Sequence, residues 1–112
     1  MTVYKRWEIV LVPFPFTDLS SAKRRPALIV SPDNYNTGKD VVIAYITSQM
    51  NVSPRFGDYD FQKWKEANLP KPSKIRMKFA TIDKSIIVKT IGKLASIDRD
   101  EIEKTILSFF KS

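Results

Sequence analysis

No cysteine and no histidine occur among the 112 residues, and these two absences narrow the chemistry before any motif is considered. Without cysteine there is neither a disulfide framework nor a thiolate metal site, so a reducing cytoplasm is the expected setting. Without histidine the usual general acid and base and the commonest metal ligand are both missing, which excludes a histidine-based nuclease. The carboxylates do not fill the gap. Neither an HExxH pattern nor a DxD-type calcium loop is present, and Asp58 with Asp60 is a thin basis for a metal site. An enzyme of this composition is expected to work without metal or other cofactor. Long apolar runs are also lacking: none approaches the roughly 20 residues that span a bilayer. The opening Met1-Thr2-Val3-Tyr4-Lys5-Arg6 lacks the apolar core of a signal peptide, so a soluble protein is expected.

What is present fits one compact domain over residues 1–112, with 43% hydrophobic residues. Nineteen Lys and Arg stand against twelve Asp and Glu, and the net charge of +7 makes a polyanion the natural class of partner. The charge is most concentrated where Lys23, Arg24 and Arg25 run into Pro26 and the apolar Ala27-Leu28-Ile29-Val30. A strand that follows a cationic loop fixes its last arginine to a rigid sheet. Arg25 is therefore the first functional candidate, since a guanidinium fork matches phosphate oxygens where an ammonium does not.

Apolar runs bounded by turn residues recur at Ile9 to Val12, Ala27 to Val30, Val41 to Ile46, Ile75 to Phe79 and Ile86 to Leu94. Pro13-Phe14-Pro15, Ser31-Pro32-Asp33-Asn34 and Thr37-Gly38-Lys39-Asp40 supply the turns. The pattern predicts a mostly β, mostly antiparallel small barrel or rolled sheet. At the C-terminus the period changes: Ile102, Ile106 and Phe109 recur at helical spacing, with Asp98 as a cap and Glu101 three residues later. One amphipathic helix packed on the sheet follows. Phe61 to Lys71 reads as a short helical turn and an extended segment.

These residues carry a family pattern. EIVLVPFPFTDLSSAKRRPALIVS, then VVIAYITSQ, then KPSKIRMKFATIDKSIIVKTIGKL resemble the MazF/PemK family of toxin ribonucleases from about Glu8 to the C-terminal helix. The most specific parts are Arg25-Pro26 leading a strand, Ile46-Thr47-Ser48-Gln49 closing the next, and Thr81-Ile82-Asp83 in the late strand. The resemblance implies an SH3-like barrel with a C-terminal helix, a homodimer, an antitoxin partner, and metal-independent, sequence-specific cleavage of single-stranded RNA, usually messenger RNA. It places the chemistry on Arg25 and Thr47, with Arg76 as the matching late-strand cation. Three departures stand out. Trp7 replaces a glycine common before the first acidic residue, Ser20-Ser21-Ala22 occupy a loop where glycine is frequent, and both changes are expected to alter loop shape. Lys78 stands where some members have an aspartate, so no acid/base role carries over to that position.

Metal-free RNA cleavage requires the 2′-OH to attack its neighbouring phosphorus, giving a 2′,3′-cyclic phosphate and a free 5′-OH. Arg25 is the candidate to stabilise the phosphorane, a kind of contact worth about 3 to 4 kcal/mol. Guanidinium groups do not give up a proton in proteins, which favours this electrostatic role over proton delivery. Thr47 would orient the phosphate through its hydroxyl, with Ser48 or Gln49 adding hydrogen bonds; alone it would read as an ordinary strand residue. Lys23 and Arg24 are candidate phosphate contacts. Lys74, Arg76 and Lys78 alternate along one strand and so share a face that could line a groove. Of the interleaved aromatics, Phe16 and Phe56 are the candidate base platforms. Two alternatives stay open: a non-enzymatic toxin like CcdB, which poisons DNA gyrase through its C-terminal helix, and a nucleic-acid-binding SH3-like module without activity.

Overall fold

The computed structural model describes residues 3–14, 23–51 and 53–111. Its elements, in chain order, are β1 (Glu8–Pro13), β2 (Arg24–Ile29), α1 (Asp33–Asn36), β3 (Asp40–Thr47), β4 (Tyr59–Asp60), β5 (Lys74–Asp83), a 3-10 turn (Lys84–Ile86), β6 (Lys89–Lys93) and α2 (Ser96–Lys111). The strands form one curled, open sheet in the order β4-β5-β3-β2-β1-β6, with every neighbouring pair antiparallel. Among the described residues no helix is long and apolar enough to cross a membrane.

Alternation along the strands divides the apolar residues between the two faces of the sheet. One face carries Ile9, Leu28, Ala44, Ile46 and Ile75, and on it lie Ile102 and Ile106 of α2. The helical spacing of these two isoleucines is what brings both to the sheet, each burial contributing about 1.5–3 kcal/mol. The other face carries Val10, Val12, Ala27, Ile29, Val41, Ile43 and Ile82 around a second, smaller core. This second face leads to the candidate site.

Several expectations are corrected in detail. The strand expected over Ile86 to Leu94 begins only at Lys89, because Asp83 caps the 3-10 turn by accepting the Ser85 N–H at 2.9 Å. That bond holds the Asp83 carboxyl below its ordinary range. Asp33-Asn34, read as a turn, opens the single helical turn of α1. Asp98 does not cap the C-terminal helix. The helix starts at Ser96, its Arg99 N–H bonding the carbonyl of Ala95 at 2.9 Å, and Asp98 lies in the first turn, fully buried. Its carboxylate instead accepts the Tyr59 hydroxyl at 2.7 Å and the backbone N–H groups of Gln62 and Lys63, each at 2.9 Å. Burial and the bond to Asp98 together push the Tyr59 phenol up to about 12.

At the turn before β1, Trp7 carries an unusual backbone. It adopts φ 74, the left-handed conformation open to glycine at little cost. Its N–H bonds the Ile29 carbonyl at 2.8 Å and its carbonyl accepts from Leu94 at 3.0 Å, while its ring packs on the larger core. These contacts offset the strain of a bulky residue there, about 1–3 kcal/mol. Ser20-Ser21-Ala22 lie outside the described residues. The Phe61 to Lys71 segment forms a turn at Lys63 to Leu69 that leans on the outer strand β6: Asn68 donates from Nδ2 to the Ile91 carbonyl at 2.7 Å. A Cβ on Gly92 would run into the Ala67 backbone carbonyl, so only glycine permits this approach.

Candidate active site

Pro26 has no N–H to give to a neighbouring strand. The pairing of β2 with β3 runs through Ile29–Ile43, Leu28–Ala44 and Ala27–Tyr45 and ends there, one residue short of Pro26. Continued two residues further, the same register brings Arg25 opposite Thr47. On the other side of β3 the pairing with β5 shifts between Ala44 and Ile46, an irregularity that re-aims side chains near sites. The second face opens where both ladders are disturbed, into a cleft of about 470 Å³.

Arg25, Thr47, Gln49, Arg76 and Lys78, all expected from the sequence, line this cleft together. Phe14, Tyr45, Ser53, Pro54 and Arg55 join them. Among the described residues four cations therefore surround it, and no carboxylate is among those that line it. Its floor is aromatic. Phe14 and Tyr45 meet edge to face with ring centres 6.4 Å apart, and each carries a cation: the Arg25 guanidinium at 4.9 Å from the Phe14 ring, and Lys78 Nζ at 4.8 Å from that of Tyr45. Burial raises the Tyr45 phenol above its ordinary value, so it stays protonated at neutral pH. Thr47 Oγ1 accepts the Gln49 N–H at 3.1 Å, which leaves its hydroxyl proton to be donated elsewhere. Such a cleft holds a polyanion by its rim and flat rings by its floor.

Other expected residues fall elsewhere. Lys74 does not join Arg76 and Lys78 in the cleft: its side chain is only 6% exposed and lies 4.0 Å from Asp60 on β4. The two-residue strand β4 pairs along its start and covers it. Phe56 is a correction of the same kind. It is 77% exposed, but its ring lies 6.0 Å from Phe109 on α2, where it borders a different hollow with Lys104 and Thr105. Lys23 and Arg24 are exposed at the start of β2, and Ser48 is exposed just past Thr47; none of the three lines the cleft. Phe16 lies outside the described residues.

Tyr45 had a signal in the sequence, standing two residues before Thr47 on a strand and so on its face. Phe14 could be placed only once β1 and β2 were paired. Arg55 had none: its approach depends on the turn that returns the chain to β4. Among the described residues no group of three or more Asp, Glu, His or Cys converges as metal ligands do.

Comparison with known proteins agrees with this architecture. No curated protein matches the sequence at a significant level. Among solved structures, MazF from Deinococcus radiodurans (Form-I) superposes with a TM-score of 0.73 over 100% of each chain at 18% identity. Mycobacterium tuberculosis toxin MazF-mt6 does so with a TM-score of 0.72, covering 93% of this chain and 96% of its own at 20% identity. An endoribonuclease in complex with its cognate antitoxin, from a mycobacterial species, gives 0.73 over 94% and 92% at 15% identity. At these identities the likeness speaks for the fold. The family itself is fixed by sequence: residues 5–110 match the model of the PemK-like, MazF-like toxins of type II toxin-antitoxin systems, and the chain belongs to that family.

Proposed function

We propose that this chain is a toxin endoribonuclease that cleaves single-stranded RNA, messenger RNA foremost, without a metal. The observation that carries the reading is the convergence of Arg25 and Thr47 beyond the last β2–β3 pair, in a cleft rimmed by cations and floored by aromatic rings. The 2′-oxygen loses its proton and bonds the adjacent phosphorus as the bond to the 5′-oxygen breaks and that oxygen leaves protonated. Arg25 faces the charge that builds on the non-bridging oxygens, and Thr47 donates its hydroxyl to one of them. Arg76 joins Arg25 at the reacting phosphate, Arg55 and Lys78 hold the flanking ones, and the Phe14–Tyr45 floor receives unstacked bases. The active form is a homodimer of single domains in the cytoplasm, held in check by a cognate antitoxin whose peptide covers the cationic cleft.

The test is incubation of the purified protein with mixed-sequence RNA in excess chelator. Discrete cuts bearing 5′-OH and cyclic or 3′-phosphate ends are expected, and absence of cutting in every sequence context overturns the reading. A second reading, a protein-binding toxin acting through its last helix, draws on Leu107 and Phe110, which are 61% and 67% exposed on α2.

A further inference from the structure

Among the described residues no carboxylate lines the cleft, but one stands directly behind it. The Asp58 side chain is 6% exposed, and its Oδ2 lies 3.8 Å from Nη2 of Arg76, a cleft residue itself only 12% exposed. The same oxygen accepts the Arg55 backbone N–H at 2.9 Å, and the Asp58 N–H returns a bond to the Arg55 carbonyl at 3.0 Å. The Arg55 to Asp58 turn is thereby closed on itself, with Gly57 at φ 89 completing it against Met77. The turn fixes the position from which Arg55 reaches the cleft. The second oxygen, Oδ1, is buried without a hydrogen-bond partner among the described residues.

Stability alone does not account for a charge at this position. Buried ions stabilise only with good geometry and satisfied lone pairs, and here the pair lies beyond hydrogen-bond range with one oxygen unmatched. Asparagine would close the same turn without burying a charge. What the charge adds is a pull on Arg76 from behind that takes up none of its donors. The guanidinium is oriented, and its N–H groups remain free to meet a phosphate on the cleft side.

We propose that Asp58 is a positioning residue of the cleft, aiming Arg76 directly and Arg55 through the turn toward the phosphates of the bound strand. This assignment rests on the RNA-cleaving reading above. Replacing Asp58 by Asn keeps the turn but releases Arg76, and it removes a negative charge beside a cationic cleft. Catalysis and binding then move in opposite directions.

The experiment is steady-state cleavage by the full chain carrying Asp58→Asn, with thermal unfolding to establish that it is folded. A kcat at least tenfold lower with KM unchanged or reduced is expected; a folded variant with kcat within twofold of the parent overturns the proposal. The double variant Asp58→Asn/Arg76→Gln buries no charge and serves even where the single variant does not fold. Its kcat is expected to equal that of Arg76→Gln alone, and a further tenfold loss overturns action through Arg76. Should the parent protein cut no RNA, the enzymatic reading falls and the orientation is read from the Arg76 Nε–Hε resonance in an NMR spectrum. Movement to the averaged position of free arginines in Asp58→Asn supports the assignment, and an unmoved resonance overturns it.

Discussion

The guanidinium of Arg25 rests on the ring of Phe14, 4.9 Å from its centre, although Arg25 pairs across the sheet with Val12 rather than with Phe14 itself. The contact is diagonal, from the second residue of β2 to the residue just past the end of β1. Stacking on a ring face fixes the plane of a guanidinium while its N–H edges stay open, a contact worth about 0.5–1 kcal/mol where exposed and more where dry. Phe14 in turn is held edge-on by Tyr45. The orientation of Arg25 is thus inherited from the aromatic floor.

Phe14→Leu keeps an apolar side chain but removes the ring face, so kcat is expected to fall about 2- to 5-fold, the loss of one such exposed contact. Thermal unfolding of the variant, run alongside RNA cleavage, separates this effect from lost packing. An unchanged kcat would detach Arg25 from the floor.

Arg25→Lys retains the charge and loses the planar fork, and cleavage is expected to drop by about 10²-fold or more. Thr47→Val, which keeps the branched shape, loses most activity, while Thr47→Ser retains a large share of it because the hydroxyl survives. The three variants are compared by initial rates on one RNA containing a mapped cut site. Full activity in Thr47→Val would remove the hydroxyl from the reaction.

Tyr59 makes stability pH-dependent in the alkaline range. Its folded-state value, pushed to about 12, exceeds the ordinary value of 10.0, so the folded chain holds this proton more tightly than the unfolded one. The contribution is complete below pH 10 and is lost as pH rises toward 12. Tyr59→Phe is expected to cost about 1–2 kcal/mol near neutrality and to flatten the alkaline decline. Urea unfolding at a series of pH values measures both.

Gly92→Ala sets a Cβ against the Ala67 carbonyl, and the backbone of that turn must shift to admit it. A loss of about 1–3 kcal/mol is expected. Gly38→Ala, whose Cβ would meet only the Tyr35 carbonyl at an ordinary 3.4 Å, stays within about 0.5 kcal/mol of the parent. Chemical denaturation of the pair reports the difference.

Leu107→Ser with Phe110→Ser separates the two readings of toxicity. An RNA-cleaving toxin keeps its cutting in vitro with this pair and loses it with Arg25→Ala. Survival of toxicity in Arg25→Ala, with its loss in the helix variant, would assign the activity to α2. Growth arrest on induced expression is the measurement.

Most strands and the helix were legible because each depends on local order: apolar runs between turn residues, and the helical spacing of Ile102 and Ile106; the pairing of Arg25 with Thr47 came with the family resemblance. Distance along the chain is what hid the rest. Asp98 has the residue type and spacing of a cap, and its true partners, Tyr59, Gln62 and Lys63, are more than thirty positions away. Lys74 alternates correctly with Arg76, yet β4 covers it, and a two-residue strand leaves no pattern to read. Arg55 and Asp58 became visible only when the turn that joins them was set beside β5. Trp7 shows another limit: nothing in its residue type announces a backbone at φ 74, which only the pairing of its N–H and carbonyl with Ile29 and Leu94 explains.

β2 is six residues long, with Leu28 and Ile29 wholly enclosed near its end and Arg25 exposed near its start. Anchorage and reactivity therefore share one short, inextensible segment. In genetic terms, substitutions at its enclosed end are expected to unfold the toxin, and those at Arg25 to disarm it. A population selected to survive expression of this chain is expected to concentrate its escape mutations on β2 beyond the strand's share of the sequence, in two classes told apart by whether folded protein still accumulates.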